Sequence, residues 1–297
     1  SGINNLASLY QDMGLYDKAE ELFEIALVRT EKNRGANHEE TARALNNLGL
    51  LYFIKGQYSK SKPLLIRGLE ISKNVLGTDH PSTATSLSNL ASLYKQQGLF
   101  KKAELYFVKA LSINEGKLGP KHPVIAVSLN NLGELYYKMK QYAKAENLLK
   151  RALTIKETVL GPEHPSLAKT LMNLANTNQS QGMYQESRNL FIRAFGITEK
   201  AFGNEHADTA AAANNLALHY VVDGSHSKAE PLLTRALTIN EKVFGRDHYN
   251  TFSSIENLAT FYQLNGVYKK ADSLGNLSIK IALRLIQREV PFSLITD

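Results

Sequence analysis

The 297-residue sequence contains no cysteine and no tryptophan. Without cysteine there is no disulfide framework, no thiolate zinc site and no cysteine nucleophile, and a reducing, cytoplasmic setting is the expectation. No apolar run approaches the ~20 residues of a membrane span, and the N-terminus lacks the layout of a signal peptide, so no membrane role is expected. Enzyme signatures are missing too. There is no glycine-rich phosphate loop, no Gly-x-Ser-x-Gly elbow and no cluster of acids and bases, so neither catalysis nor a cofactor is expected. What is present suits a folded chain: 43% of residues are hydrophobic, enough for a core. The net charge of +7 permits an acidic partner without naming one. The chain starts at Ser1-Gly2 rather than at methionine, as expected of a fragment of a longer protein.

Length alone suggests about two domains, but an internal repeat overrides that prior. An Asn-Leu pair recurs at Asn5, Asn47, Asn89, Asn131, Asn173, Asn215 and Asn257, always 42 residues apart. Gly35, Gly77, Gly119, Gly161, Gly203 and Gly245 keep the same step, each followed three residues later by histidine, from His38 to His248. A period of 20 to 50 residues marks a solenoid. The expected organisation is one repeat domain over 1–297, with units of approximately 1–38, 39–80, 81–122, 123–164, 165–206, 207–248 and 249–297. Each unit reads as two helices. Leu45, Leu48, Gly49 and Tyr52, then Tyr58, Ser61, Leu64, Leu65, Gly68 and Leu69, recur at spacings of three and four. Gly56 separates the two helices. Gly77 suits a left-handed C-terminal residue, and Pro81 the first turn of the next helix. Pro63 and Pro231 are placed in the first turn of a second helix, where a missing N–H matters little. Fourteen helices and no strands follow, with neighbouring pairs burying one another's apolar faces.

The order Asn89-Leu90-Ala91, Tyr94, Gly98, Phe100, Ala103 and Ala110-Leu111 resembles the tetratricopeptide repeat. The usual period of that family is 34, and the longer unit with its Leu-Gly-x-x-His-Pro linker (Leu76 to Pro81, Leu118 to Pro123, Leu160 to Pro165) is similar to the kinesin light chain subclass. The resemblance covers the whole chain. It implies an all-α, right-handed α-solenoid of seven antiparallel helix pairs, a tetratricopeptide-like superhelix that acts as a protein-binding scaffold. Two light-chain features are missing: the heptad coiled coil and a late break in the repeat spacing. Attachment to a motor is therefore unsupported.

At 100° per residue, offsets −4, 0, +3 and +7 from each repeating Asn fall within about 60° of one another, whereas the apolar offsets −2, +1, +2, +4 and +5 point elsewhere. The first helix thus has a core face and a separate polar stripe. In the resembled family that stripe lines a concave groove holding an extended peptide. An asparagine amide both donates and accepts, so Asn47, Asn89, Asn131, Asn173 and Asn215 suit a peptide backbone. The alternative is that these asparagines set repeat-to-repeat packing. Arg43, Lys95, Lys138 and Lys169 are expected to read acidic side chains, making the partner mildly acidic, with Asn176 and Leu218 adding polar and apolar specificity. The Lys-and-Asn carboxylate clamp of chaperone-binding members is not reproduced as a set.

Two units depart from the pattern. The fifth carries polar residues 176–181, with Asn178 where a core tyrosine is expected, and the sixth has His219 and His226. A looser joint is one reading and a wider pocket the other. The linker histidines are expected to cap helices rather than bind metal, because layers about 8–10 Å apart cannot share an ion with ligands at about 2 Å. His38-Glu39-Glu40 is not a His-Glu-x-x-His motif, since Ala42 stands at the second histidine position. The basic excess lies in 39–164, mostly on second helices, where a solvated outer face is expected. Nucleic acid is disfavoured because basic residues are not interleaved with aromatics as in a stacking platform. The apolar C-terminal stretch (Ile279, Ile281, Leu283, then Pro291-Phe292) either caps the last repeat or joins something else, a homo-oligomer included. Self-association, or regulation of a separate catalytic or nucleotide-binding domain, is the competing function.

Overall fold

The computed structural model describes residues 2–289, and the 291–295 stretch of the proposed C-terminal cover lies outside them. The chain divides into two compact units, residues 1–155 and 156–297. The first contains α1 (Gly2–Asp12), α2 (Tyr16–Arg34), α3 (Glu39–Ile54), α4 (Tyr58–Leu76), α5 (Pro81–Gln96), α6 (Phe100–Leu118), α7 (Pro123–Lys138) and most of α8 (Tyr142–Leu160). The second contains α9 (Leu167–Ser180), α10 (Tyr184–Phe202), α11 (Ala207–Val222), α12 (His226–Phe244), α13 (Tyr249–Leu264) and α14 (Tyr268–Glu289). These fourteen helices are the expected seven pairs, and the described residues contain no strand. Within each unit every helix packs on the next, α7 on α8 through Ile125, Leu129, Ala152 and Ile155, and odd-numbered helices also touch each other: α3 with α5, α5 with α7, α9 with α11, and α11 with α13.

Local chemistry sets the boundaries. In the second repeat Gly77 ends α4 at φ 93° and ψ 165°, a region open only to glycine but extended in ψ rather than left-handed helical as expected. Three residues on, His80 caps α5: its Nδ1 accepts the Ser82 N–H at 3.1 Å. Thr83 then donates from Oγ1 to the Gly77 carbonyl at 2.8 Å and closes the linker on itself. The same bracket recurs as Thr41 to Gly35, Thr209 to Gly203 and Thr251 to Gly245. Pro63 departs from expectation. It is the sixth residue of α4, beyond the first turn, and Pro231 holds the same place in α12. Both prolines are exposed, so the carbonyl each leaves without an N–H faces solvent.

The core occupies the expected offsets. Leu45, Leu48, Leu51 and Tyr52 of α3, with their equivalents Leu87, Leu90, Leu93 and Tyr94 of α5, are all buried. Small residues at the crossings let helices approach: Ala103 and Ala110 of α6 are fully buried around Phe107. A second ladder inside this core is polar. Ser72 Oγ meets Ser86 Oγ at 3.3 Å, Asn114 donates to Ser128 at 3.3 Å, and in the second unit Asn240 donates to Ser254 at 2.8 Å. Each pair is 14 residues apart, late second helix to early next first helix, and pins the register of one repeat on the next.

Lys156 takes the position of Ser72, Asn114 and Asn240. It is 9% exposed, and its ammonium donates to the Ser166 carbonyl at 2.7 Å and Thr170 Oγ1 at 2.9 Å. Burial, with Lys169 nearby, lowers its pKa below the ordinary lysine value. A folded-state pKa below the unfolded one means that stability rises as pH climbs toward the ordinary lysine range. Lys156→Met keeps the stem, and the Thr170 hydroxyl can turn to the Ser166 carbonyl one helical turn back. The variant is expected to be more stable at neutral pH by about 1 kcal/mol and to lack the wild-type gain at alkaline pH. Denaturant unfolding across that range checks both; an unchanged alkaline gain in the variant refutes the assignment.

Candidate functional site

The stripe forms on the first helices of each unit. In the first unit Arg43, Thr85 and Val127 at offset −4 are exposed, as are Ile54, Gln96 and Lys138 at +7, while Asn47, Asn89 and Asn131 between them are half-buried. The second unit repeats the pattern. Lys169 and Ala211 are exposed, Ser180 and Val222 are exposed, and Asn173 and Asn215 are half-buried between them.

The asparagines have structural work as well. Asn89 Nδ2 approaches Asn46 Oδ1 of the preceding repeat at 3.4 Å, and Asn257 Nδ2 donates to Asn214 Oδ1 at 3.0 Å. Asn215 donates to the Ala211 carbonyl at 3.0 Å and contacts Met172 Sδ at 3.4 Å. An amide with one N–H engaged in this way keeps its carbonyl oxygen for another partner.

The charged candidates separate into two groups. Arg43, Lys138 and Lys169 form no ion pair among the described residues and stand exposed. Lys95 differs from expectation: its ammonium is 2.6 Å from Glu134 Oε1 on the next first helix, and the two side chains are only 10% and 22% exposed. The pair neutralises both charges across the stripe. Asn176 is half-buried on α9, and Leu218 packs against the core around Leu233 and Leu258.

The outer cations are also more organised than a solvated face. Arg67 pairs with Glu31 at 2.7 Å and Arg151 with Glu115 at 2.6 Å in the first unit. In the second, Arg193 pairs with Glu157 at 2.6 Å and Arg235 with Glu199 at 2.8 Å. These partners occupy constant places in consecutive second helices, so the column of arginines in the sequence was the available signal.

The departures in the fifth and sixth repeats close on themselves. His219 is 1% exposed, Asn178 4% and Thr177 fully buried. His219 Nδ1 lies 2.7 Å from Gln179 Oε1 and 3.4 Å from Ser187 Oγ, with its ring 5.6 Å from that of Phe191. A proton on Nδ1 satisfies Gln179 and leaves Nε2 buried without a hydrogen-bond partner. Burial lowers the His219 pKa, and Arg188 acts in the same direction against Asp223.

The linker histidines serve as caps. Nδ1 of His38, His122, His206 and His248 accepts the N–H two residues ahead at 3.1–3.3 Å, as His80 does. The described residues contain no group of three or more His, Cys, Asp or Glu side chains placed to hold a metal ion. None of the described helices is long and apolar enough to cross a membrane.

These helix pairs, their repeating columns and the family comparison agree. The tetratricopeptide repeat family profile matches residues 2–65, 44–116, 106–158, 124–200, 166–242 and 208–284, and the chain belongs to that family. Its repeat is of the kinesin light chain-like type. The chain is similar to a structure of nearly identical TPR-like repeats from a protein described as a kinesin light chain of Podosopora anserina. That match has 27% identity and a TM-score of 0.57, covering 69% of this chain and 97% of the other. BtubC (BKLC) of P. vanneervenii shares the fold at 21% identity and a TM-score of 0.59, over 78% of this chain and 91% of the other. A Rap protein complexed with competence and sporulation factor shares it at 15% identity and a TM-score of 0.76, over 96% and 75%. No curated protein matches the sequence.

The histidines give the protein an acid limit. Burial also lowers the His248 pKa. Protonating a capping Nδ1 removes the acceptor and places a cation at the positive end of a helix dipole; protonating His219 adds a buried N–H without an acceptor. With folded pKa values below the ordinary 6.5, this stability is present above that value and is lost as pH falls through it. Thermal melts from about pH 7 to about pH 5 are expected to show a falling midpoint. His248→Asn, which keeps a capping oxygen, and His219→Leu should each flatten the fall; a slope unchanged in both excludes these groups as its source.

Proposed function

We propose that the protein is a non-enzymatic scaffold that holds an extended, mildly acidic peptide segment along the first-helix stripes of its units. The observation that carries this reading is the half-buried asparagine column, Asn47, Asn89, Asn131, Asn173 and Asn215, flanked by exposed, variable positions in the second to sixth repeats. A constant amide column suits the backbone of any peptide, and the changing neighbours suit the choice among side chains. In the first unit Arg43 and Lys138 supply charge that the protein does not neutralise, whereas Lys95 acts by holding Glu134. In the second, Lys169, Asn176 and Leu218 flank Asn173 and Asn215. A cytoplasmic setting fits the cysteine-free sequence. Support also comes from the Rap relative, whose structure was solved with a competence and sporulation factor.

Peptides selected on the wild-type protein from a random library provide the test. Replacing Asn47, Asn89 and Asn131 together by Ala removes three backbone-directed amides and is expected to weaken peptides held by the first unit on the order of 100-fold, at about 1 kcal/mol each. Circular dichroism should show retained helicity. Unchanged affinity in a folded triple variant assigns the asparagines to packing alone.

A further inference from the structure

The first unit carries a second column of cations on a different face from the stripe. Eight residues after the tyrosine at offset +5 comes a lysine in four successive repeats, and its ammonium sits over that ring. The centroid distances are 5.5 Å for Lys18 on Tyr10, 5.0 Å for Lys60 on Tyr52, 5.7 Å for Lys102 on Tyr94 and 5.1 Å for Lys144 on Tyr136. Offset +5 is about 140° around the first helix from the asparagine, so this ladder does not belong to the stripe.

Each of these lysines is the third residue of a second helix, where the helix dipole disfavours a cation. The first turns of α4, α6 and α8 contain no acid, and the residues preceding α2, α4 and α6 make no side-chain cap. The four lysines are exposed and form no ion pair among the described residues. The nearby acids are otherwise engaged: Asp17 and Glu20 by Lys55, and Glu104 by the Tyr136 hydroxyl. Lys140 adds charge in the turn before α8, at φ 58°, where the other six repeats have glycine. A lysine in that strained conformation is a cost kept for some other benefit.

We propose that this helix-turn edge is a docking surface for an extended acidic protein segment with a carboxylate at every third residue. Stacked helices lie on the order of 10 Å apart, and three residues of extended chain advance by about 10 Å. Four rungs therefore register with about ten residues of peptide. The rings hold the ammonium groups in place before a ligand arrives, which lowers the ordering entropy of binding. Nucleic acid fits less well, since successive phosphates along one strand are closer together than the rungs. The ladder is interrupted in the second unit's first complete repeat, where Asn178 and Glu186 replace tyrosine and lysine together; it returns in that unit with Lys228 5.6 Å from the Tyr220 centroid and Lys270 4.5 Å from that of Tyr262, the latter held by Glu230.

The test uses fluorescence anisotropy at low and moderate salt with the whole chain. One probe is a labelled peptide of about twelve residues with glutamate at every third position between Gly and Ser; the second has the same composition with its glutamates at one end. The third is a single-stranded oligonucleotide of equal charge. The spaced peptide is expected to bind wild type most tightly, to lose at least about tenfold on Lys18→Gln, Lys60→Gln, Lys102→Gln and Lys144→Gln combined, and to recover when the same four are Arg. The triple asparagine variant should bind it within about twofold of wild type, which separates this surface from the stripe. No binding of the spaced peptide, equal binding of the clustered one, tighter binding of the oligonucleotide, or an unaffected glutamine variant that circular dichroism shows to be folded would each overturn the proposal.

Discussion

The constraint on which everything else rests is that no helix pair can bury its own apolar face. Leu48, Leu51 and Tyr52 of α3 are buried together with Ala19 and Phe23 of α2, which belong to the preceding repeat. Each repeat is therefore completed by its neighbour. Such contacts work only if equivalent residues return to equivalent places, and the 42-residue step without insertion or deletion meets that geometric demand. Within each unit the polar pairs at a separation of 14 residues exploit the same regularity, since a slip in register would leave buried hydroxyls and amides without partners.

The same regularity divides each first helix into faces with different freedom. Residues that meet neighbouring helices are confined to Leu, Ala, Gly and Tyr with few exceptions, whereas offsets −4, +3 and +7 vary from Arg43 to Val127 to Lys169. Variation is tolerated where packing makes no demand, and it is there that a ligand can be distinguished. The second helices carry their own columns: arginine to glutamate on the outer side, lysine over tyrosine at the turn edge. A surface that looks uniformly basic in composition thus separates into neutralised and exposed cations.

The exceptional repeats show how local substitutions are absorbed. Loss of tyrosine at Asn178 coincides with loss of its lysine at Glu186, and His219 with Gln179 and Ser187 forms a buried polar group nearby. Neither a loose joint nor an open pocket describes this arrangement; it is a filled, titratable contact. Lys156 is a comparable case, a cation in a position that elsewhere holds a hydroxyl or an amide.

Helix number, helix boundaries within a few residues, the core offsets and the exposed stripe were all legible in the sequence, because each follows from periodicity and backbone chemistry within one repeat. The linker histidines were also readable as caps, since glycine three residues earlier marks where one helix ends and the next begins. The fate of Lys95 was not legible. Whether it faces a ligand or Glu134 depends on side chains 39 residues apart meeting across a helix interface. Likewise, nothing within a single repeat says that Arg67 reaches Glu31 or that Lys60 lies over Tyr52. Sequence by itself determined the faces, through angles that accumulate along one helix. Only tertiary structure decided which charges on those faces are spent on neighbours and which stand open, because Coulombic partnership depends on distances of a few ångströms between separate elements.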